Sequence, residues 1–142
     1  MKTISFLSIL SLLFLATSCN KDKNDPVLKL DQDVEIDFGQ TAPFNEGNFS
    51  VQFEELLEDS RCPEGPVACF WEGRVRVQIN ISDREDSYSY ELITKNSING
   101  DSLVTVEYGQ YIIELKEVNP YPVFQEPVDI DDYSIVLEVT EM

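Results

Sequence analysis

Apolar and polar residues alternate with a period of two through most of this chain after about its first thirty residues, and a period of two is the repeat of a strand with one buried face. Val34, Ile36 and Phe38 alternate with Glu35 and Asp37; Phe49, Val51 and Phe53 alternate with Ser50 and Gln52. The cleanest run is Val75, Val77, Ile79 and Ile81 against Arg76, Gln78 and Asn80. Tyr88, Tyr90 and Leu92 follow, then Val104, Val106 and Tyr108, then Tyr111, Ile113 and Leu115, and finally Tyr133, Ile135, Leu137 and Val139. β-Branched and aromatic residues dominate these positions, as half-buried strands favour. No window holds a helical period long enough to stand alone; Glu54 to Leu57 offers one turn at most. Asn99-Gly100-Asp101 marks a hairpin between the Tyr88 and Val104 strands, and Gly109-Gln110 marks a second. Asn119-Pro120-Tyr121-Pro122 removes two backbone donors and takes the chain out of the sheet. About seven strands, each with one apolar face, define an all-β fold: an antiparallel two-sheet sandwich of immunoglobulin-like type, with a barrel as the alternative. The core is expected to hold Val51, Phe53, Trp71, Val75, Val77, Ile79, Ile113, Leu115, Ile135 and Leu137.

The start of the chain obeys different rules. Met1-Lys2 is cationic, and Ile4 to Ala16 is an apolar run shorter than the ~20 residues that span a bilayer. It has the length and flanks of a secretory signal. Ala16-Thr17-Ser18-Cys19 resembles a bacterial lipobox, in which the cysteine thiol is acylated and the chain is cut just before it. That resemblance implies residues 1–18 as signal peptide, 19–26 as a lipidated tether and 27–142 as the β-sandwich domain. It also implies a bacterial cell-envelope address, an outer-membrane lipoprotein held to the membrane by lipid on Cys19. Asn20 to Pro26 is polar and charged, as a flexible tether should be. Its Lys and Asp cluster resembles signals that send some Bacteroidota lipoproteins to the outer face of the cell.

Removing the signal takes away only Lys2 among charged residues, so the net charge moves from −17 to about −18. Such a surface repels nucleic acid phosphates, whose binding requires Lys and Arg, and no nucleic acid partner is expected. The acids are spread along the chain, which reads as solubility rather than as one acidic site. Eight Phe, six Tyr and one Trp, with abundant Val, Ile and Leu, exceed what a disordered segment of high charge carries. The chain folds.

Once Cys19 is assigned to the anchor, Cys62 and Cys69 remain, and two thiols in an exported protein pair. The alternative is a two-thiolate metal site, but tetrahedral zinc wants four N or S ligands and the chain has no histidine. Both cysteines and the single tryptophan lie in Glu58 to Gly73, a stretch without the alternation on either side. Asp59-Ser60-Arg61-Cys62-Pro63, followed by Cys69-x-Trp71-x-Gly73, resembles the pattern of a family of small exported bacterial proteins, often lipoproteins, that carries no assigned activity. The likeness extends more weakly to the strand after Gly73 and to the Pro-Tyr-Pro segment.

Physically the stretch reads as a stapled crossover. A bridge closing so short a loop contributes about 2–3 kcal/mol on the chain-entropy model. Pro63 and Pro66 restrict the loop, Gly65 permits a tight turn, and Gly73 allows close approach or a bulge. Phe70 and Trp71 are expected to pack against the bridge. Arg61 can bind loop carbonyls or carboxylates bidentately. The other reading makes Asp59, Arg61 and Glu72 a recognition site, with Asp59, Ser60 and Arg61 as the candidate contact residues.

Known catalytic and metal-binding patterns are mostly missing. Without histidine there is no Ser-His or Cys-His nucleophile, and proton transfer falls to carboxylates. Asp129, Asp131 and Asp132 cluster before the last strand, but their spacing is not a calcium loop and reads as a solvated turn. Phosphate loops and dinucleotide fingerprints are absent; no cofactor or metal is expected. Arg74 and Arg76 are expected to pair across strands with Glu107 or Glu114. The leading expectation is therefore not an enzyme but an envelope module that binds a protein or glycan partner or supports a surface assembly. An inhibitor or immunity-like domain falls in the same class, and a small carboxylate-based hydrolase is the alternative. A binding module should expose an aromatic patch, whereas an enzyme should hold convergent polar groups in a pocket.

Overall fold

The computed structural model describes residues 25–94 and 104–142, so the expected signal peptide, Cys19 and Asn99-Gly100-Asp101 lie outside the described residues. The strands are β1 (Asp33–Asp37), β2 (Thr41–Pro43), β3 (Ser50–Asp59), β4 (Val75–Ser82), β5 (Ser87–Ile93), β6 (Thr105–Tyr108), β7 (Tyr111–Asn119) and β8 (Ser134–Glu141). They form two four-stranded antiparallel sheets, β1-β8-β7-β6 and β2-β3-β4-β5, and neither sheet closes on the other. The two-sheet sandwich is the fold. The extra strand over the expected seven is β2, too short for alternation to reveal.

Strand order refines the expectation. Neighbours are consecutive in sequence except β1 and β8, so β2-β3-β4-β5 and β6-β7-β8 are meanders, and β1 joins the second through β8 without the Greek-key crossover of immunoglobulin domains. The order around the molecule is that of an up-and-down barrel opened between β1 and β2 and between β5 and β6. β5 and β6 are therefore edges of different sheets, not the two arms of a hairpin at Asn99-Gly100 as expected. The other expected hairpin is present: Tyr108 faces Tyr111 across Gly109-Gln110. Gly109 sits at φ 63 in the first loop position, where type II′ turns place glycine.

Alternation translates directly into burial. In β4, Val75, Val77, Ile79 and Ile81 are fully buried between the half-exposed residues that separate them. Phe53 on β3, Ile113 and Leu115 on β7 and Ile135 and Leu137 on β8 meet them from both sheets. At one pole Phe44, Phe49, Tyr108 and Tyr111 form an aromatic cluster with centroids 4.9–5.9 Å apart. Glu54 to Leu57 is not a helical turn. It continues β3 through register shifts at Phe53/Glu55 and Leu56/Glu58, and such bulges absorb the broken alternation of Leu56-Leu57.

Trp71 corrects the expected core: it is 72% exposed, and Phe70 is 99% exposed. The expectation rested on a large aromatic packing against the bridge, but β4 starts only at Val75 and Gly73 lies at φ 73, outside extended geometry. The period does not cross that glycine. We therefore expect Phe53→Ala to cost about 3–5 kcal/mol in urea unfolding. Trp71→Ala should stay within about 0.5 kcal/mol of the parent, as surface changes do; comparable losses from the two variants would contradict this packing.

Candidate functional site

The far end of β3 carries the segment that broke the alternation. Asp59, the last residue of β3, and Arg61 form a fork: Nε donates to Oδ1 at 2.9 Å and Nη2 to Oδ2 at 2.6 Å. Arg61 also reaches the opposite sheet, where Nη1 donates to the Val118 carbonyl at 2.6 Å and Nη2 to the Pro120 carbonyl at 2.8 Å. Four of the five guanidinium N–H donors are thus used. Tyr133, just before β8, completes the hub by donating its hydroxyl to Asp59 Oδ2 at 3.1 Å. The two charged side chains are only 9% and 10% exposed. Burial pushes the Asp59 carboxyl up, but the hydrogen bonds and charge of Arg61, with the Tyr133 hydroxyl, outweigh it and hold it below the ordinary carboxylate range.

Ser60 and Gly73 fasten the two ends of the loop together. Ser60 N donates to the Arg74 carbonyl at 2.8 Å, and Cys62 N donates to the Glu72 carbonyl at 3.0 Å. A Cβ on Gly73 would lie 1.7 Å from the Ser60 carbonyl oxygen, so only glycine permits this approach. Cys62 and Cys69 are joined, with Cα atoms 6.0 Å apart. The stapled loop then leans on the segment after β7: Glu64 N donates to the Pro122 carbonyl and Phe124 N to the Glu64 carbonyl. Tyr121 lies over the Arg61 guanidinium at 4.9 Å.

Asp59, Ser60 and Arg61, the candidate contact residues, are therefore brought together, but Asp59 and Arg61 spend their polar groups inside the fold. What the segment turns outward is Phe70 and Trp71. The same end of the fold holds a cleft of about 370 Å³, lined by Arg61, Glu72, Thr94, Lys116, Glu117 and Tyr121 among others. Glu72, the residue after Trp71, belongs to that lining, and the two aromatic side chains do not. Sequence reasoning missed this shoulder because large aromatics beside a disulfide read as core. The usable signal was that Glu58 to Gly73 has no period-two pattern to direct them inward.

Other site expectations are resolved by topology. Arg74 and Arg76 do not pair with Glu107 or Glu114, which belong to the other sheet. Arg74 approaches Glu58 at 3.5 Å, and Arg76 binds Glu91 on β5 at 2.7 Å and Glu58 on β3 at 3.4 Å. Glu114 instead lies 3.6 Å from Lys116. Asp131 and Asp132 sit in a 3-10 turn, Ile130–Asp132, just after Asp129. Among the described residues no group of three or more Cys, Asp or Glu is placed to hold a metal ion. Among the described residues, the carboxylates displaced from their ordinary range, Glu58, Asp59, Asp83 and Glu91, all move down. That direction suits ion-pair and hydrogen-bond partners, whereas a general acid needs a raised value.

Comparison of the chain with protein-family models, curated proteins and solved structures finds no match.

Removing Arg61 leaves the Asp59 carboxylate buried with its main partner gone, so Arg61→Ala should cost about 3–5 kcal/mol. Arg61→Lys should recover only part, since an ammonium cannot reproduce the fork. A carboxyl lowered by folding stabilises fully above its unfolded value of about 4, and that stability is lost as the pH falls through the folded value. Denaturant midpoints measured from pH 7 down to pH 2 should therefore fall less steeply in Asp59→Asn than in the parent. Identical slopes would remove Asp59 from the acid response.

Proposed function

We propose that this chain is a lipid-anchored envelope β-sandwich that binds a partner at its stapled end and carries out no covalent chemistry. The exposure of Phe70 and Trp71 on a loop closed by a disulfide carries this reading. Large aromatics cost free energy in water, and contiguous exposed apolar surface marks binding sites. The loop has already lost much of its freedom through the bridge, two prolines and the pairing of Glu64 with the segment after β7. A partner therefore meets a pre-organised surface at reduced entropic cost. Asp59, Ser60 and Arg61 support that surface from behind, and Arg61 also forms part of the cleft wall.

The anchor rests on the signal-like start and Ala16-Thr17-Ser18-Cys19. With acylation at Cys19, the protein belongs to the outer membrane of a bacterial envelope, and the acidic domain stands off from anionic headgroups. Metabolic labelling with a fatty acid should mark the parent protein, and Cys19→Ser should abolish the label and release the protein from membrane fractions. Equal labelling of the variant would exclude this anchor. For binding, a Phe70→Ala/Trp71→Ala variant should lose retention on immobilised envelope components while keeping its unfolding midpoint. Unchanged retention would move the site elsewhere.

A further inference from the structure

We infer that the partner of the stapled end is a cationic protein segment, taken up by an aromatic surface interspersed with carboxylates. The inference rests on the binding reading above and names the chemistry of its partner. Among the described residues eight large apolar side chains are exposed. Six of them, Phe70, Trp71, Tyr121, Val123, Phe124 and Ile130, lie on the stapled loop or on the segment between β7 and β8. The other two, Tyr88 and Met142, sit toward the opposite pole, beside the β4–β5 and β6–β7 turns. Hydrogen bonds between Glu64 and the backbone of Pro122 and Phe124 join the two stretches, and a Cβ on Gly65 would lie 2.8 Å from the Phe124 side chain. Residues 62–73 and 119–133 together supply eighteen exposed residues, near the ~20 that one side of a standard protein interface uses. Aromatic anchors of this kind are enriched at the centre of such interfaces.

Charge selects the partner. Neither stretch contains a Lys or Arg. Glu64, Glu126, Asp129, Asp131 and Asp132 are exposed there, and none of the five forms an ion pair with another described residue. An arginine on the partner meets both features at once, because its guanidinium stacks on a ring while its fork binds a carboxylate. Tyr121 already lies over one guanidinium, that of Arg61. A second copy of this chain would set the same five acids against themselves across a symmetric contact. A lipid surface would have to take the carboxylates into its headgroup layer together with the rings, against the charge of any anionic lipid. A basic protein surface turns both into attraction, and the −17 of the whole chain steers it in from a distance.

The exported full chain, reconstituted in phosphatidylcholine vesicles, would be panned with a displayed library of random dodecapeptides, and enriched peptides titrated by fluorescence anisotropy. We expect these peptides to combine net positive charge with an aromatic or aliphatic residue, and their binding to weaken as salt is raised. Phe70→Ala/Trp71→Ala should weaken it by about tenfold or more. Glu126→Lys/Asp131→Lys should do the same. Glu85→Lys/Glu107→Lys makes the same change in net charge toward the opposite pole and should leave binding within about twofold. These exposed substitutions should keep the parent's thermal midpoint in circular dichroism. Absence of enrichment, peptides without a basic excess, equal losses from the two charge reversals, or undiminished binding by either site variant overturns the inference. Trp71 is the sole tryptophan, so emission from the vesicles reports this loop alone. A blue-shifted emission with no peptide bound makes the membrane the occupant and overturns the inference as well. If it fails while envelope retention still requires Phe70 and Trp71, the binding module stands and its partner is not cationic. If retention fails too, both readings fall.

Discussion

Sheets that pack through apolar faces are held by a force without direction, and something else must fix how one sits on the other. At the stapled end that role falls to the Arg61 guanidinium. It binds Asp59 at the tip of β3 and, in the opposite sheet, the carbonyls of Val118 and Pro120. Tyr133 approaches Asp59 from the start of β8, so three strands and both sheets converge on one planar cation. A point charge could not hold them in this way, because the carbonyls and the carboxylate are aligned with separate edges of the fork. At the other pole the Tyr108 hydroxyl donates to Asp83 in the turn between β4 and β5, again linking one sheet to the other. That bond raises the Tyr108 phenol to about 12. Among the described residues, each end of the open sandwich thus has directional polar ties where a closed barrel would have a ladder.

The hub also explains why the exposed aromatics are tolerable. Phe70 and Trp71 lie outside the hydrophobic core cluster, yet the chain that carries them is fastened at several points. The disulfide closes the loop behind them, and Cys62 and Ser60 pair with Glu72 and Arg74. Gly73 allows the two strands of backbone to touch. Rigidity here comes from polar and covalent constraints rather than from burial, and that leaves the large side chains at the surface.

Much of the framework was readable because burial on one face imprints itself on the residue pattern. Val75 to Ile81 is the clearest case: every second residue is sealed in the core, so the pattern left no ambiguity. Thr41–Pro43 is too short to show a period, and Leu56-Leu57 breaks it through bulges that only pairing partners reveal. Within the site, the bridge and the ability of Arg61 to bind carbonyls were legible from residue type. Its acceptors were not, since Val118 and Pro120 lie 57 and 59 positions away and nothing local marks them. Trp71 failed for the opposite reason: hydrophobicity is a strong prior for burial, and Trp71 lies in a loop outside the strands whose alternation directs residues inward.

The pairing of β1 with β8 has a consequence for how the chain reaches this state. Glu35 accepts from Ser134, 99 positions along, so the first strand finds its sheet neighbour only in the last. Closing a loop of that size costs about 2 kcal/mol more than closing a ten-residue hairpin. The sheet β2-β3-β4-β5 is built from consecutive strands and needs no such partner. A chain delivered from its amino end therefore assembles one sheet while the other is still incomplete, and Val34 and Ile36 wait without a strand beside them. Completion of the fold is timed by arrival of β8, and the unpaired edge of β1 is the surface that a holding chaperone would have to cover until then.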